Sequence, residues 1–266
     1  MVNRTREHMV NRTRRLAGGA PVTMERIHRG SEPTVAGRAP WAFGAGPVPG
    51  GHNQRMRLAD RLPRRLAQLL LGLALYGWSM AMMVRSRLGL DPWDVFHYGL
   101  ARHLPLTFGQ VTIAVGAVVL LAWIPLRQRP GIGTVLNILV IGLAADLGLS
   151  VMAPPGSMVG RIALLVSGIV LNGLAGALYV GAHLGPGPRD GLWVALTRRC
   201  HLSIRLVRTV IELTVLGIGW LMGGVVGVGT ILYALSIGHL NQFFLSRVEV
   251  RAAEERSLET LAKTMD

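Results

Sequence analysis

Two short stretches of this chain put charge and proline where lipid-soluble sequence is expected. LGLDPWD, residues 88–94, carries Asp91, Pro92 and Asp94, and LGPGPRD, residues 184–190, carries Pro188 and Asp190 at the places of Pro92 and Asp94, 96 residues later, with Arg189 between them. A charge in hydrocarbon costs about 3 kcal/mol or more unless it is paired or hydrated. Side chains of these types can hold a small ion, carry a proton or neutralise one another. Asp146 lies deep in another apolar run, and Arg208 and Glu212 stand four residues apart. That spacing puts both on one helix face and favours an intrahelical ion pair over a proton-carrying acid. The candidate residues for a substrate or ion are therefore Asp94, Asp190, Pro92, Pro188, Arg189, Asp146, Arg208 and Glu212. His97, His183, His201 and His239 lack metal-ligand spacing, and Cys200 is the single cysteine, so no metal and no cofactor is expected. HExxH, GxSxG and a GxGD-type aspartyl dyad are all missing, so no enzymatic activity is expected either.

The elements that position these residues follow from composition. Half of the 266 residues are apolar, 16% are charged, and the apolar residues form blocks of membrane-spanning length. The partner is a lipid bilayer. A formal charge of +14 could suggest nucleic acid, but residues 1–65 hold 13 Arg against only Glu7, Glu25, Glu32 and Asp60. Charge concentrated ahead of the first apolar block reads as orientation and attraction to anionic lipid headgroups, with no nucleic-acid partner. Residues 1–55 repeat MVNRTR, are rich in Gly, Pro and Arg, and read as a disordered basic tail. Met9, Met24 and Met56 each offer an alternative start.

Six spans are expected, at about 65–84, 109–126, 132–152, 161–181, 205–223 and 228–246. Arg clusters before the first span, after the second, between the fourth and fifth, and after the sixth fall on one side if both termini are cytoplasmic. Arg85, Arg87 and Arg102 fall on the other side and violate the pattern mildly.

The offset of 96 extends far beyond the opening turn. Gly72, Gly77, Ala81, Val84, Pro92, Asp94 and Arg102 fall on Gly168, Gly173, Ala177, Val180, Pro188, Asp190 and Arg198, and GIGT at 131–134 falls on GVGT at 227–230 without a gap. Shared Pro, Asp, Arg and Thr are not explained by hydrophobicity. Three spans per unit is an odd number, so the second copy must enter the bilayer from the opposite face. The expected fold is an all-α polytopic transmembrane bundle, six spans as a 3+3 inverted repeat. Its parts are residues 1–55, repeat 1 at 56–152, repeat 2 at 160–247 and a cytoplasmic helical tail at 248–266.

Asp91 before Pro92, with Asp94 following, is how a helix begins: an N-cap acceptor, a proline that needs no amide hydrogen, and an acid at the positive dipole end. A short helix over about 92–103 reaches only about 18 Å, too short to cross. It either lies at the interface as a capped helix without function, or re-enters so that two half-helix N-termini face a shared midplane site. Gly173, Ala177 and Gly181, with Gly77 and Ala81, suit close packing of spans one and four, against each other in the simplest case. Asn137 and Asn172 are expected to bond neighbouring helices.

LGLDPWDVFHYGL, GIGTVLNILVIGLAADL, GPGPRDGL, SIRLVRTVIELTVLGIGWLMGG and VGVGTILYALSIG resemble the YczE family of bacterial membrane proteins, itself similar to the YitT group, over about 64–246. The family's Gly-Pro-Arg-Asp-Gly matches Gly187 to Gly191, and its Ser-Ile-Arg matches Ser203, Ile204 and Arg205. The resemblance implies a multi-pass protein of the bacterial cytoplasmic membrane, with some members linked to antibiotic production, and carries over no catalytic residue. A small-solute transporter or exporter, with a small-molecule substrate at mid-bilayer, is the favoured expectation. A scaffold or assembly factor for a biosynthetic system is the alternative. The inverted arrangement predicts that reporter fusions after Arg127 and after Arg198 report the same, cytoplasmic, compartment; opposite compartments would give the two modules a single orientation.

Overall fold

The fold is described from a computed structural model, over residues 62–248. The tails at 1–55 and 248–266 therefore lie, except for Val248, outside the described residues. Eight helices follow in order: α1 Leu62–Ser86, α2 Pro92–Ala101, α3 Phe108–Trp123, α4 Ile132–Val151, α5 Met158–Gly181, α6 Pro188–Cys200, α7 Ile204–Leu221 and α8 Val228–Val248. The class is all-α, as expected.

Four helices, α1, α4, α5 and α8, are long and apolar enough to cross a membrane. Helix α3 is apolar but has 16 residues, about 24 Å at the helical rise. Helix α7 has 18 residues and carries Arg205, Arg208 and Glu212 among them. The outward faces confirm a bilayer as the surrounding solvent. Leu139, Leu143 and Leu147 on α4, and Ile162, Val166 and Val170 on α5, recur at every fourth position and are exposed. Such stripes are paid no hydrophobic reward in water and belong against lipid.

Helices α1 and α5 form the antiparallel centre. Gly72 meets Leu178 and Tyr179 near one end, and Gly168 meets Met82 and Met83 near the other. Helix α4 lies parallel to α1, with Gly77 against Ile141 and Ala144 and Gly148 against Ala81. Helix α8 lies parallel to α5, with Gly173 against Leu240 and Gly176 against Asn241. Spans one and four thus pack on each other as expected, but through Gly72 and Gly168, whereas Gly77 and Ala81 face α4 and Gly173 faces α8. Each central helix has two contact faces.

Backbone devices recur at the offset of 96. Positive φ occurs at Arg87 (57°) and His183 (52°), at Gly89 (128°) and Gly185 (131°), and at Arg127 (52°) and Gly223 (85°). Thr107 caps α3 and Ser203 caps α7. Two bonds are reciprocal: Gly229 N–H donates to the Leu88 carbonyl at 2.8 Å, and Gly133 N–H donates to the Leu184 carbonyl at 3.0 Å. These carbonyls reach the first turns of α8 and α4 only because glycine stands there. A Cβ at Gly133 would lie 2.8 Å from the Leu184 oxygen, and one at Gly229 2.9 Å from the Gly89 oxygen.

The outer helices differ between the copies. Helix α3 packs antiparallel on α4 around Gly109, Gly116 and Gly142, whereas α7 barely touches α8. A Cβ at Gly142 would lie 2.5 Å from Ile113 Cγ1 and 2.6 Å from the Gly109 oxygen, while one at its counterpart Gly238 would meet nothing within 4 Å. The two substitutions should therefore diverge. Gly142→Ala should cost about 1–3 kcal/mol through overpacking, and Gly238→Ala should be neutral or gain about 0.5–1 kcal/mol from helix propensity. Thermal unfolding in detergent or lipid compares them directly, and equal effects would contradict the packing difference.

Candidate functional site

Each short helix begins as its sequence dictates. The Asp91 side chain accepts the Asp94 N–H at 2.8 Å, with Pro92 at the first helical position of α2. In α6 Gly187 stands at the cap with no side chain to offer, and Pro188 follows. Asp190 is not used as a cap acceptor and instead accepts the Tyr179 hydroxyl. Trp123 on α3 donates to the Pro188 carbonyl at 3.1 Å, anchoring the entry to α6.

The two helix starts meet. Arg189 Nη1 lies 3.8 Å from Asp91 Oδ1, and the guanidinium stands 5.4 Å from the centre of the Trp93 ring. Trp93 and Arg189 occupy the same position in the two copies, so the contact joins equivalent points of both broken segments. Asp91, Asp94 and His97 are buried to within 3% of full burial. His97 Nδ1 faces Asp94 Oδ1 at 3.3 Å. The second carboxylate oxygens of Asp91 and Asp94, and the Trp93 indole N–H, are buried with no hydrogen-bond partner among the described residues.

A cleft opens beside this cluster, lined by Trp93 and His97 of α2, Thr112 and Gly116 of α3, Asn137 of α4 and Arg189 of α6. Val115, Val119 and Ile138 add apolar lining. The space open to the centre of a water-sized molecule is about 30 Å³, room for one or two waters. The corresponding place in the second copy is occupied. Thr112 and Gly116 are replaced there by Arg208 and Glu212, whose side chains pair at 2.8 Å, and Arg208 stands 4.8 Å from the centre of the Trp193 ring. One copy leaves room where the other fills it.

A hydrogen-bonded layer supports the cluster from below. Asn172 donates to Ser79 Oγ at 2.8 Å and accepts from the Tyr233 hydroxyl at 3.0 Å. Tyr76 and Tyr179 pack edge to face at 6.2 Å between ring centres. This layer joins α1, α5 and α8, and it confirms the expected bridging by Asn172.

Of the sequence candidates, Pro92, Asp94, Pro188, Arg189 and Asp190 come together where the two short helices begin. Asp146 does not join them. Its carboxylate accepts the Thr107 hydroxyl and the Gly109 N–H, so it secures the start of α3. Arg208 and Glu212 form the expected ion pair. Sequence reasoning missed Asp91 as a site member, treating it only as a cap, and missed Tyr76, Trp93 and Tyr233 altogether. Trp93 was legible in principle as the counterpart of Arg189 at the repeat offset. The three arginines that broke the charge pattern also find roles: Arg85 donates to the Leu149 carbonyl and Arg102 to the Gly223 carbonyl at 3.1 Å, each at a helix end, while Arg87 takes the positive-φ position after α1.

Residues 63–246 match the family of unknown function DUF6198. An uncharacterized protein of Haemophilus influenzae is 42% identical over 183 residues, which cover 69% of this chain and 84% of that one. The uncharacterized membrane protein YczE of Bacillus subtilis is 36% identical over 176 residues, 65% of this chain and 82% of its own. A second Bacillus subtilis protein, the uncharacterized YyaS, is 25% identical over 183 residues, 67% and 91% of the respective chains. No solved structure matches.

The Arg189–Asp91 pair makes a testable demand on stability. Arg189→Gln leaves a buried carboxylate without its cation and should cost about 3–5 kcal/mol. Adding Asp91→Asn should recover most of that loss. A double-mutant cycle followed by unfolding in lipid measures the coupling, and additive losses would show that the pair does not interact.

Proposed function

The chain belongs to the DUF6198 family and is a homologue of the membrane protein YczE, and from that premise we propose that it is a small-solute transporter or exporter. In this reading the molecule is a 3+3 inverted repeat with six spans, α3 and α7 included, and both termini cytoplasmic. The substrate passes between the two copies, at the junction of α2 and α6. No bond-making chemistry is assigned to it.

The observation that carries the reading is the contact of Arg189 with Asp91 and Trp93. It supports a pseudo-two-fold axis between the copies, because a residue that touches its own equivalent lies on the axis relating them. The reciprocal bonds from Gly229 to Leu88 and from Gly133 to Leu184 support the same axis. So do the parallel pairs α1–α4 and α5–α8 set against the antiparallel pair α1–α5. Broken helices from opposite faces, meeting at a polar junction, are the arrangement in which secondary transporters bind their cargo. The unlike packing of α3 and α7 supports alternation, since rocking transport requires that matching halves can stand in different positions.

A second reading, a non-transporting scaffold or assembly factor, draws support from the smallness of the cleft, which has no room for an organic solute as it stands. Flux measurements separate the two. Purified protein in vesicles should move at least one class of small solute faster than empty vesicles under a proton or sodium gradient, and Asp94→Asn should reduce that flux at least tenfold. If a broad panel of solutes stays at the empty-vesicle level in both directions, the scaffold reading replaces transport.

A further inference from the structure

We propose that the buried carboxyl pair Asp91 and Asp94 holds one exchangeable proton at neutral pH, and that this proton is the ion to which transport is coupled. The second half of the statement rests on the transport reading; the first does not.

The argument begins with charge. Two carboxylates stand beside one guanidinium. Asp91 is the partner that Arg189 approaches, at 3.8 Å, and it also receives the Asp94 backbone N–H. Asp94, fully buried, has no arginine or lysine at ion-pair distance among the described residues, and its one ring neighbour is His97, with Nδ1 3.3 Å from Oδ1. A buried carboxylate without a permanent cation carries a penalty large enough that it takes up a proton or a cation instead.

Hydrogen bonding points to the same place. Among the described residues no donor reaches Asp91 Oδ2 or Asp94 Oδ2, although both atoms are buried. Removing one partner from a buried polar atom costs about 1–3 kcal/mol, so two such atoms at one helix start are not left without reason. A proton on Asp94 removes a buried charge and leaves Asp91, Asp94 and Arg189 together neutral.

The surroundings favour a proton over a metal cation. The titratable and charged groups that face the pair are Tyr76 from α1, His97 from α2, Arg189 from α6 and Tyr233 from α8. The polar residues that α3 and α4 bring to the cleft are Thr112 and Asn137, and α7 meets α2 through Gly219 against the Phe96 backbone. A hard cation asks for about six oxygen ligands, whereas two free carboxylate oxygens are present and a guanidinium already stands 3.8 Å from the other oxygen of Asp91. His97 both lines the 30 Å³ cleft, which has room for one or two waters, and stands 3.3 Å from Asp94 Oδ1, so a proton from cleft water has a route to the pair through that ring. The second copy has no equivalent. Gly187 replaces Asp91, and Asp190 already accepts the Tyr179 hydroxyl. Only one copy therefore carries the proton.

Infrared spectroscopy of the full chain in lipid vesicles at pH 7 tests this directly, because a protonated carboxylic acid has a carbonyl stretch apart from carboxylate and amide bands. The wild-type protein should show one such band, shifted by deuterium oxide and by isotopically labelled aspartate. The band should vanish in Asp94→Asn, persist in Asp146→Asn and Asp190→Asn, and grow in Arg189→Gln as the second carboxyl loses its cation. Absence of the band in the wild type overturns the proposal, as does a band that survives Asp94→Asn, or one that sodium removes at fixed pH, which would assign the site to a metal cation. A proton located on His97 would also leave no carboxylic acid band. If Asp94→Asn does not fold, the labelled wild-type spectrum decides alone. A band with the expected behaviour but no solute flux would retain the proton site and discard its coupling role.

Discussion

Backbone that stops being helical among buried side chains leaves N–H and C=O groups without partners, and this constraint governs most of the architecture seen here. The chain interrupts itself after α1 and again after α5. At each interruption a carbonyl is left over, Leu88 in one and Leu184 in the other. Each is bonded by the first turn of a long helix from the other copy, α8 for Leu88 and α4 for Leu184. The starts of those helices carry orphan N–H groups of their own. One set of bonds therefore settles both accounts.

From that exchange several other features follow. The GxGT sequences hold glycine at 131, 133, 227 and 229 because a carbonyl must come within bonding distance of the helix backbone there. Thr134 and Thr230 close the same turns by accepting from Gly131 and Gly227 at 3.1 and 3.3 Å. With the breaks pinned, α2 and α6 are aimed so that their first residues approach one another. Arg189 then finds Asp91, and the charged residues that looked misplaced in an apolar sequence become a cluster with internal compensation. A scheme in which either copy folded alone would leave the break in the other without partners.

The two copies share a backbone plan and differ in what they place on it. Thr112 and Gly116 on α3 correspond to Arg208 and Glu212 on α7, so one side keeps a cleft and the other fills it with an ion pair. Gly109 corresponds to Arg205, which removes the smooth surface that lets α3 sit on α4. Two halves alike in backbone and unlike in their outer side chains give a cluster that is asymmetric. The central helices, which carry the Ser79–Asn172–Tyr233 bridge, hold the frame in which that difference is expressed.

The all-α class, the helix boundaries to within a few residues, the breaks before Pro92 and Pro188, and the Arg208–Glu212 pair were all legible in the amino-acid order. These are local matters: periodicity, proline and cap chemistry act over one or two turns of chain, and the repeat offset needs only comparison of the chain with itself. What the order of residues could not disclose is which distant surfaces touch. Asp146 looked like a member of the polar site and proved to secure α3, because its partners Thr107 and Gly109 are brought to it by the α3–α4 packing. Gly77 and Gly173 suited a contact with each other and turned to α4 and α8, because a central helix has two faces and sequence spacing does not say which neighbour takes which. Tyr76, Trp93 and Tyr233 were invisible as site members, since an aromatic residue in an apolar run looks the same whether it faces lipid or a buried carboxylate. That distinction belongs to tertiary structure alone, which sets the distance between groups the chain keeps far apart.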